Sequence, residues 1–202
     1  MTPAPARCPS SRRTAKVLVT GPAGAGRSTF ISTLTGPVAQ ASGDGDVPGA
    51  SGPQTPPAVA TDFGQLEVDG DLTLLLHGTP AHDRYGFMVD ILAEGMVGYI
   101  LLVDASRPET LVDTRRARRR FEQAYRVPSV VVVTKLSGDA ERFERRLRDE
   151  LELTPEVPVL LADTSDRADV QRAVVTLLTA AREQALTRSA TMQRHSGLGD
   201  VG

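Results

Sequence analysis

A glycine-rich segment near the start of the chain carries the residues best suited to chemistry. It reads GPAGAGRS from Gly21 to Ser28 and lies between a β-branched run and an amphipathic run. Gly21, Gly24 and Gly26 allow the backbone to wrap around an anion, because glycine adopts positive φ freely and leaves room for close approach. The amphipathic run predicts a helix whose unpaired N–H groups and positive dipole end face the same anion. The spacing therefore predicts a phosphate-binding loop of the pattern G-x-x-x-x-G-K-S/T, with Arg27 at the lysine position.

The elements that must position this loop alternate along the chain. Predicted strands cover 16–20, 63–68, 72–77, 97–103, 129–133 and 157–161, and predicted helices cover 28–34, 85–96, 108–125, 140–151 and 167–185. Asp69-Gly70 joins two of the strands and is a hairpin turn signal. This order predicts an α/β fold with a mostly parallel central sheet, one antiparallel edge hairpin and helices on both faces.

Composition divides the chain into one domain and three irregular segments. Residues 1–13 and 187–202 are rich in small, polar and proline residues, which predicts disordered tails around a domain at 14–186. Residues 36–58 consist mainly of Gly, Pro, Ala and Ser without periodicity, which predicts a flexible loop directly after the first helix. In that position the loop would close over a bound phosphate chain.

Composition also argues against several classes of protein. A formal net charge of -2 gives no general attraction to nucleic acid or to an anionic membrane, and no apolar run approaches the length needed for membrane insertion. The N-terminal segment lacks the apolar core of a secretory signal. Cys8 is the single cysteine, so a disulfide framework and a thiolate metal site are not expected. We therefore expect a soluble cytoplasmic protein.

Several predicted strands end in polar segments that should meet at one place. The segments are GPAGAGRS, HGTPAHDR, TKLSGD and ADTSD. In open parallel sheets, ligands bind beyond the carboxyl ends of the strands. The sequence therefore predicts a single crevice in which these segments face the phosphate-binding loop.

In order and spacing, these segments resemble the Ras-like small GTPases. The segments that carry the resemblance, within about 16–185, are GPAGAGRST, ATDFG, HGTPAHDRYGFM, VVTKLSGD and LLADTSDR. They are most similar to the bacterial MglA and actinobacterial conservon (CvnD-like) branch. The resemblance implies a Ras-like P-loop domain that binds GTP or GDP with Mg²⁺ as a signalling switch. It also implies a roadblock-type regulatory partner and a sensor-kinase-like complex, which would make the protein peripheral to a membrane.

The resemblance assigns roles at the phosphate end of the ligand. Ser28 matches the magnesium ligand, and Arg27 keeps the charge of the family's lysine but brings a wider planar fork that should lower affinity. The switch-one threonine position holds Ala58, while Gly78 and Ala81 stand in the D-x-x-G motif. The implied phosphate-binding residues are Gly21, Gly24, Ala25, Gly26, Arg27, Ser28, Thr29 and Ala81.

A histidine replaces the family's catalytic glutamine, and the base-recognition motif is also altered. His82 is the candidate for positioning the attacking water, although a histidine on an exposed loop is the alternative interpretation. The N-K-x-D motif reads Thr134, Lys135, Leu136, Ser137, so the aspartate that would accept two hydrogen bonds from guanine is absent. Loss of such a charged acceptor costs roughly 1.5 to 3 kcal/mol. The implied base-binding residues are Thr134, Lys135, Ser137, Ala162 and Asp163.

Two functions from different classes remain open at this point. One is a slow or partner-dependent switch GTPase that uses the residues above. The other is a pseudo-GTPase scaffold that binds protein partners through the same surface with weak or no nucleotide affinity. The altered positions favour weak chemistry, and the intact glycine loop favours retained binding.

Overall fold

The protein is an α/β structure built around one sheet. The computed structural model describes residues 13–37, 39–41, 61–68, 71–80 and 86–196. The strands are β1 (Arg13–Thr20), β2 (Ala39–Ala41), β3 (Thr61–Val68), β4 (Leu72–Gly78), β5 (Met96–Asp104), β6 (Ser129–Thr134) and β7 (Val159–Leu161). The helices are α1 (Arg27–Thr35), α2 (Gly86–Ala93), α3 (Leu111–Ala124), α4 (Ala140–Leu151) and α5 (Arg167–Ser196).

The sheet is mostly parallel, as the sequence predicts. Its seven strands lie in the order β2-β3-β4-β1-β5-β6-β7, and every pair from β4 to β7 is parallel. The predicted hairpin is confirmed as the antiparallel pair β3/β4, which runs from Phe63↔His77 to Val68↔Leu72. Its turn residues lie outside the described residues. Strand β2 pairs antiparallel with the outer side of β3, so the hairpin is not the outermost pair of the sheet.

Helices cover both faces of the sheet, because the central strands bury side chains in both directions. Val17 and Val19 of β1 pack with Phe30 of α1 and with α5 in one buried cluster. Leu18 between them packs with α3 and α4 in a second cluster, on the opposite face. This alternation follows from the two-residue period of a strand. The central strand β5, MVGYILLVD, is buried along nearly its whole length.

The carboxyl ends of β1 and β5 lead to opposite faces of the sheet. The two strands are neighbours, with Val17 paired with Gly98 and Thr20 with Leu101. β1 continues into α1 on one face, and β5 continues through the short 3-10 helix Pro108–Thr110 into α3 on the other. Such a point of divergence opens a crevice at which α/β proteins bind ligands.

Several predicted boundaries differ from the structure. β1 begins at Arg13, inside the predicted tail, and β3, α3 and β7 differ from their predicted ranges by one to three residues. Three further differences change an element. Helix α5 continues to Ser196, although 187–202 was expected to be disordered. The helix continues because residues 186–196 contain no glycine or proline that would end it. Strand β2 lies within 36–58, which was expected to lack secondary structure. Helix α2 ends at Ala93, and Met96 already belongs to β5. Gly95 intervenes with φ of 72°, a conformation that favours a helix end.

The arginine-rich run on α3 combines a solvated face with one buried side chain. Arg118 is only 3% exposed and donates from Nη1 to the carbonyl of Leu151, 2.5 Å away, which satisfies the end of α4. Arg119 forms a bidentate pair with Glu152, with Nη2 2.6 Å from Oε1. Arg120 pairs with Asp90 of α2 at 2.8 Å. The run therefore combines arginines at the surface with one packing residue, Arg118, which links α3 and α4.

Candidate phosphate-binding site

The loop between β1 and α1, residues 21–26, has the conformation that its glycines predict. Gly21, Gly24 and Gly26 have φ of 151°, 77° and 97°. A Cβ atom on Gly21 would lie 2.6 Å from the carbonyl oxygen of Leu102, and one on Gly26 would lie 2.7 Å from Thr164 Oγ1. Gly26 is also the N-cap of α1 and supplies no capping side chain. The first N–H groups of α1 therefore keep their capacity to donate to a ligand.

Side chains from the ends of β5 and β6 hold three consecutive carbonyl groups of this loop. Arg107 donates from Nη2 to the carbonyl of Ala23. Lys135 donates from Nζ to the carbonyl of Gly24 at 2.6 Å, and Thr134 Oγ1 lies 3.2 Å from the carbonyl of Ala25. Because C=O and N–H of one trans peptide point in opposite directions, these contacts turn N–H groups toward the inside of the loop. The Ala25 N–H makes a turn bond to Pro22, so Gly24 and Gly26 supply the free inward donors.

A buried carboxylate anchors two of these three side chains. Asp104, at the end of β5, is 0% exposed, and its Oδ2 accepts from Arg107 Nε at 2.9 Å and Lys135 Nζ at 3.0 Å. Its Oδ1 accepts from Ser106 Oγ at 2.6 Å. Burial alone would raise the pKa of Asp104, but the hydrogen bonds from Ser106, Lys135 and Arg107 outweigh it and lower the pKa to about 2. The carboxylate is thus ionised and fixes both cations beside the loop.

Arg27 lies at the first position of α1 and points toward the end of β4. Its Nη1 donates to the carbonyl of Thr79, and the Thr79 hydroxyl donates to Thr20 Oγ1 at 2.9 Å. Burial lowers the pKa of the Arg27 guanidinium, and the nearby Asp62 carboxylate raises it in part. Arginine stays protonated under such shifts, so a positive charge with further N–H donors lies at the mouth of the loop.

Ser28, the predicted magnesium ligand, is paired with a carboxylate to which the sequence analysis assigned no role. Its Oγ donates to Asp62 Oδ2 of β3 at 2.7 Å. The carboxylate has room there because the neighbouring strand carries Gly78, on which a Cβ would lie 3.2 Å from Asp62 Oδ2. β3 therefore supplies an acidic group at the place where the D-x-x-G motif lacks its aspartate.

The Ser28–Asp62 pair has the chemistry of a partial magnesium site. Mg²⁺ prefers oxygen ligands and is usually held by one or two protein groups together with phosphates and water. Within the described ranges, no three His, Cys, Asp or Glu side chains come together as a complete metal cage. The residues present fit a magnesium ion that is shared with a phosphate chain and not one enclosed by protein alone.

A cavity of about 530 Å³ lies at the ends of β6 and β7. Its lining includes the predicted base-binding residues Thr134, Lys135, Ala162 and Asp163, but Ser137 is not part of the lining. Lys135 adopts φ of 55°, a left-handed conformation that is strained for a side-chain-bearing residue. The contacts to Gly24 and Asp104 hold it there. The cavity thus adjoins the phosphate-binding loop through Lys135.

The carboxylates around this cavity are already engaged. Asp139 caps α4 by accepting from the N–H of Arg142 at 3.1 Å, so it does not replace the acceptor lost at Ser137. Asp163 accepts from the hydroxyl of Ser165, which lowers the pKa of its carboxyl. The N–H of Asp163 donates to Asp169 Oδ2 at 2.9 Å. Among the described residues, no free aspartate therefore lies beside this cavity in the position that guanine recognition would require.

The structure brings most of the predicted site residues together. The loop residues 21–29 meet the ends of β4, β6 and β7 through Thr79, Lys135 and Thr164, which confirms the predicted convergence. Ala58, Ala81 and His82 lie outside the described residues. The prediction missed Asp62, Asp104 and Arg107. Asp104 could have been noticed as a lone acid that ends the apolar run MVGYILLVD, but Arg107 carries no local signal.

Comparison with known proteins leaves this geometry as the main guide to function. No protein-family model matches the chain, and no curated protein matches it. Among the helices described, none is long and apolar enough to cross a membrane. The site must therefore be interpreted from its own chemistry.

Proposed function

We propose that the chain is a Ras-like P-loop protein that binds a nucleoside di- or triphosphate with Mg²⁺ and acts as a regulatory module. One observation carries the proposal: the carbonyls of Ala23, Gly24 and Ala25 are held away from the loop by Arg107, Lys135 and Thr134. An anion-binding loop needs this arrangement, because its inward N–H groups must be oriented before the anion arrives. A bare structural turn has no need of three such contacts.

The position of the loop in the sheet supports the same proposal. It follows β1 at the point where β1 and β5 lead to opposite faces, which is the usual ligand crevice of an open α/β sheet. The cavity beside it is large enough for a heterocyclic base and a ribose. The phosphates would lie on the loop and the base would lie against Lys135. The resemblance adds GTP and GDP as the expected ligands.

Magnesium would be held at Ser28, with Asp62 as its carboxylate neighbour. When bound, the ion would neutralise charge on the outer phosphates. Asp62 orients the Ser28 hydroxyl at 2.7 Å, and Arg27 is close enough for the Asp62 carboxylate to raise the pKa of its guanidinium in part. The three side chains thus combine an oxygen pair for the cation with a guanidinium for the phosphates.

Hydrolysis by the isolated protein should be slow. Ala58 and Ala81 replace the two positions that sense the γ-phosphate in the family that the chain resembles. Hydrogen bonds that strengthen only as charge develops in the transition state are then lost, and such donors contribute roughly 10²–10³ in rate. His82 is the residue proposed to position the attacking water. A GTPase activity is therefore proposed only as slow or dependent on a partner.

A pseudo-GTPase scaffold is the second candidate, and a specific observation favours it. Arg27 donates to the Thr79 carbonyl and Ser28 donates to Asp62. The groups expected to hold phosphate and magnesium therefore already have hydrogen-bond partners within the protein. Such a site is stable as a surface for protein partners. Under either function, the resemblance suggests a roadblock-type regulatory protein, which a pull-down with a co-encoded protein of that type would test.

The deciding experiment measures nucleotide binding and its dependence on magnesium. Fluorescent GTP, GDP and ATP analogues would be titrated into the full chain in Mg²⁺ and in EDTA. We expect binding that is tighter in Mg²⁺, and in Ser28→Ala and Asp62→Asn most of that difference should disappear. Asp149→Asn, which removes an exposed carboxylate on α4, should keep the wild-type difference. Absence of binding by every analogue at millimolar concentration would exclude the switch and leave the scaffold.

A further inference from the structure

The loop that follows β5 contributes a cation for which the motifs of the sequence give no role. We propose that Arg107 is a positioning residue for the phosphates: it sets the orientation of the peptide between Ala23 and Gly24, and with it the affinity for di- and triphosphates. This inference rests on the proposed function, because it concerns how the same loop recognises its ligand.

The guanidinium of Arg107 bridges two elements that are distant in sequence. Its Nε and Nη2 both lie 2.9 Å from Oδ2 of Asp104, and Nη2 also donates to the carbonyl of Ala23. The Asp104 carboxylate cannot turn away, because Ser106 donates to its other oxygen from both Oγ, at 2.6 Å, and N–H, at 3.1 Å. The guanidinium of Arg107 is therefore fixed by Asp104, and its Nη2 also reaches the loop.

Arg107 lies directly over the glycine that follows the peptide it holds. A Cβ on Gly24 would be 3.0 Å from Arg107 Nη2 and would crowd the contact, and the φ of 77° also favours glycine at this position. Lys135 and Thr134 hold the next two carbonyls, but neither reaches Ala23. No other contact described for the Ala23 carbonyl would fix this peptide in the absence of Arg107.

The orientation of this one peptide bears on phosphate binding in particular. With the Ala23 carbonyl held by Arg107, the N–H of Gly24 points into the loop, since the two groups are on opposite sides of a trans peptide. The inward N–H groups of such a loop cradle the α- and β-phosphates of a nucleotide, and we assign the Gly24 N–H to the β-phosphate, which a monophosphate lacks. Loss of Arg107 should therefore weaken ligands that reach the loop with two or three phosphates and leave monophosphates nearly unchanged.

The test compares Arg107→Ala and Arg107→Lys with a matched control in the full chain. Arg119→Ala is the control, because Arg119 also forms a two-point pair with a carboxylate, Glu152, but lies far from the loop on α3. Dissociation constants would be measured in Mg²⁺ for GTP, GDP and GMP and for ATP, ADP and AMP. Unfolding midpoints would be recorded without nucleotide.

We expect Arg107→Ala to weaken the di- and triphosphates roughly ten- to hundredfold, the usual effect of losing one charged hydrogen bond. The monophosphates should change by less than about threefold. Arg107→Lys should recover part of the loss, because an ammonium reaches Asp104 or Ala23 but does not bridge them as the fork does. Arg119→Ala should match the wild type.

Three results would overturn the inference, and they differ in what else they affect. Unchanged affinity of Arg107→Ala would remove the positioning role and leave the proposed function intact. An equal loss for mono-, di- and triphosphates together with a lowered unfolding midpoint would make Arg107 a merely structural residue. If the wild type binds none of the nucleotides, the proposed function fails, and this inference fails with it.

Discussion

The carboxylate of Asp62 on β3 occupies the space that a side chain on Gly78 of β4 would need. A Cβ atom on Gly78 would lie 3.1 Å from Asp62 Cβ and 3.2 Å from its Oδ2. These distances are tighter than ordinary van der Waals contact. A side chain at position 78 would thus crowd the Asp62 carboxylate, and in this chain β3 supplies the acidic group at this place.

Gly78→Asp should accordingly destabilise the fold. We expect a loss of about 1–2 kcal/mol in the free energy of unfolding, from crowding and from two like charges side by side. Combining it with Asp62→Ala removes both causes, so the double variant should be more stable than the sum of the single changes predicts by about 1 kcal/mol. Urea unfolding of the four proteins measures this coupling. Strict additivity would show that the two side chains do not compete for space.

Arg27→Lys should strengthen binding of a nucleoside triphosphate. Lysine is a compact charge that fits between two phosphates, whereas the guanidinium of Arg27 donates to the Thr79 carbonyl. We expect roughly tenfold tighter binding, measured by titration in Mg²⁺, with the largest gain for the triphosphate. Unchanged affinity would indicate that Arg27 serves the contact between α1 and the end of β4 and does not face phosphate.

Ser137→Asp should raise the preference for guanine over adenine nucleotides. The wild type should discriminate poorly, because Ser137 offers no charged acceptor and Asp139 is engaged in capping α4. Restoring the carboxylate should increase the ratio of the two affinities by about ten- to hundredfold without raising the rate of hydrolysis. Competition of GTP against ATP for a fluorescent analogue measures the ratio. Strict guanine specificity in the wild type would contradict this account of the base site.

The stability contributed by Asp104 should depend on pH in a predictable direction. Its pKa in the folded protein is about 2, below the ordinary value of 3.8 for an aspartate side chain. A group with a depressed folded pKa stabilises the protein above its unfolded pKa, and the contribution is lost as the pH falls through the folded pKa. The contribution of Asp104, roughly 2 kcal/mol, should therefore be complete above about pH 5 and decrease between about pH 4 and pH 2.

Asp104→Asn isolates this effect from the other carboxyl groups. The variant should be less stable than the wild type by a constant amount at neutral pH, and the difference should narrow below about pH 4. Chemical unfolding at a series of pH values gives the difference directly. Asp149→Asn, at an exposed position on α4, serves as the control and should show no such narrowing. A difference that stays constant down to acidic pH would mean that Asp104 is not held by its cations.

Local patterns in the sequence were sufficient for the elements and for the loop that they position. Helix α4 was predicted from its charged helical pattern at its observed bounds, and in the structure Asp139 caps it while Leu147 and Leu151 are buried. The tail of α5 was predicted wrongly, since polar composition indicates solvent exposure but does not by itself end a helix. Propensity and the absence of glycine or proline decided that segment.

The missed part of the site consists of contacts between residues far apart in the chain. Arg107 reaches Ala23 across 84 positions, and Ser28 reaches Asp62 across 34. Neither pair belongs to a motif, because each depends on how neighbouring strands place their ends. Gly78 is the clearest example. In the sequence it stands where the D-x-x-G motif has its aspartate, and in the structure its lack of a side chain leaves room for the carboxylate of Asp62.

The loop from Gly21 to Gly26 is tied to both halves of the molecule. It runs into α1, which packs on one face of the sheet, and Arg107 and Lys135 tie it to segments that continue into α3 and α4 on the other. Protein interiors are close-packed, so a displacement of one segment is passed on to the segments packed against it. A ligand that shifted this loop would therefore also displace segments on both faces of the sheet. A protein partner bound to either face would then be affected by the same ligand-binding step.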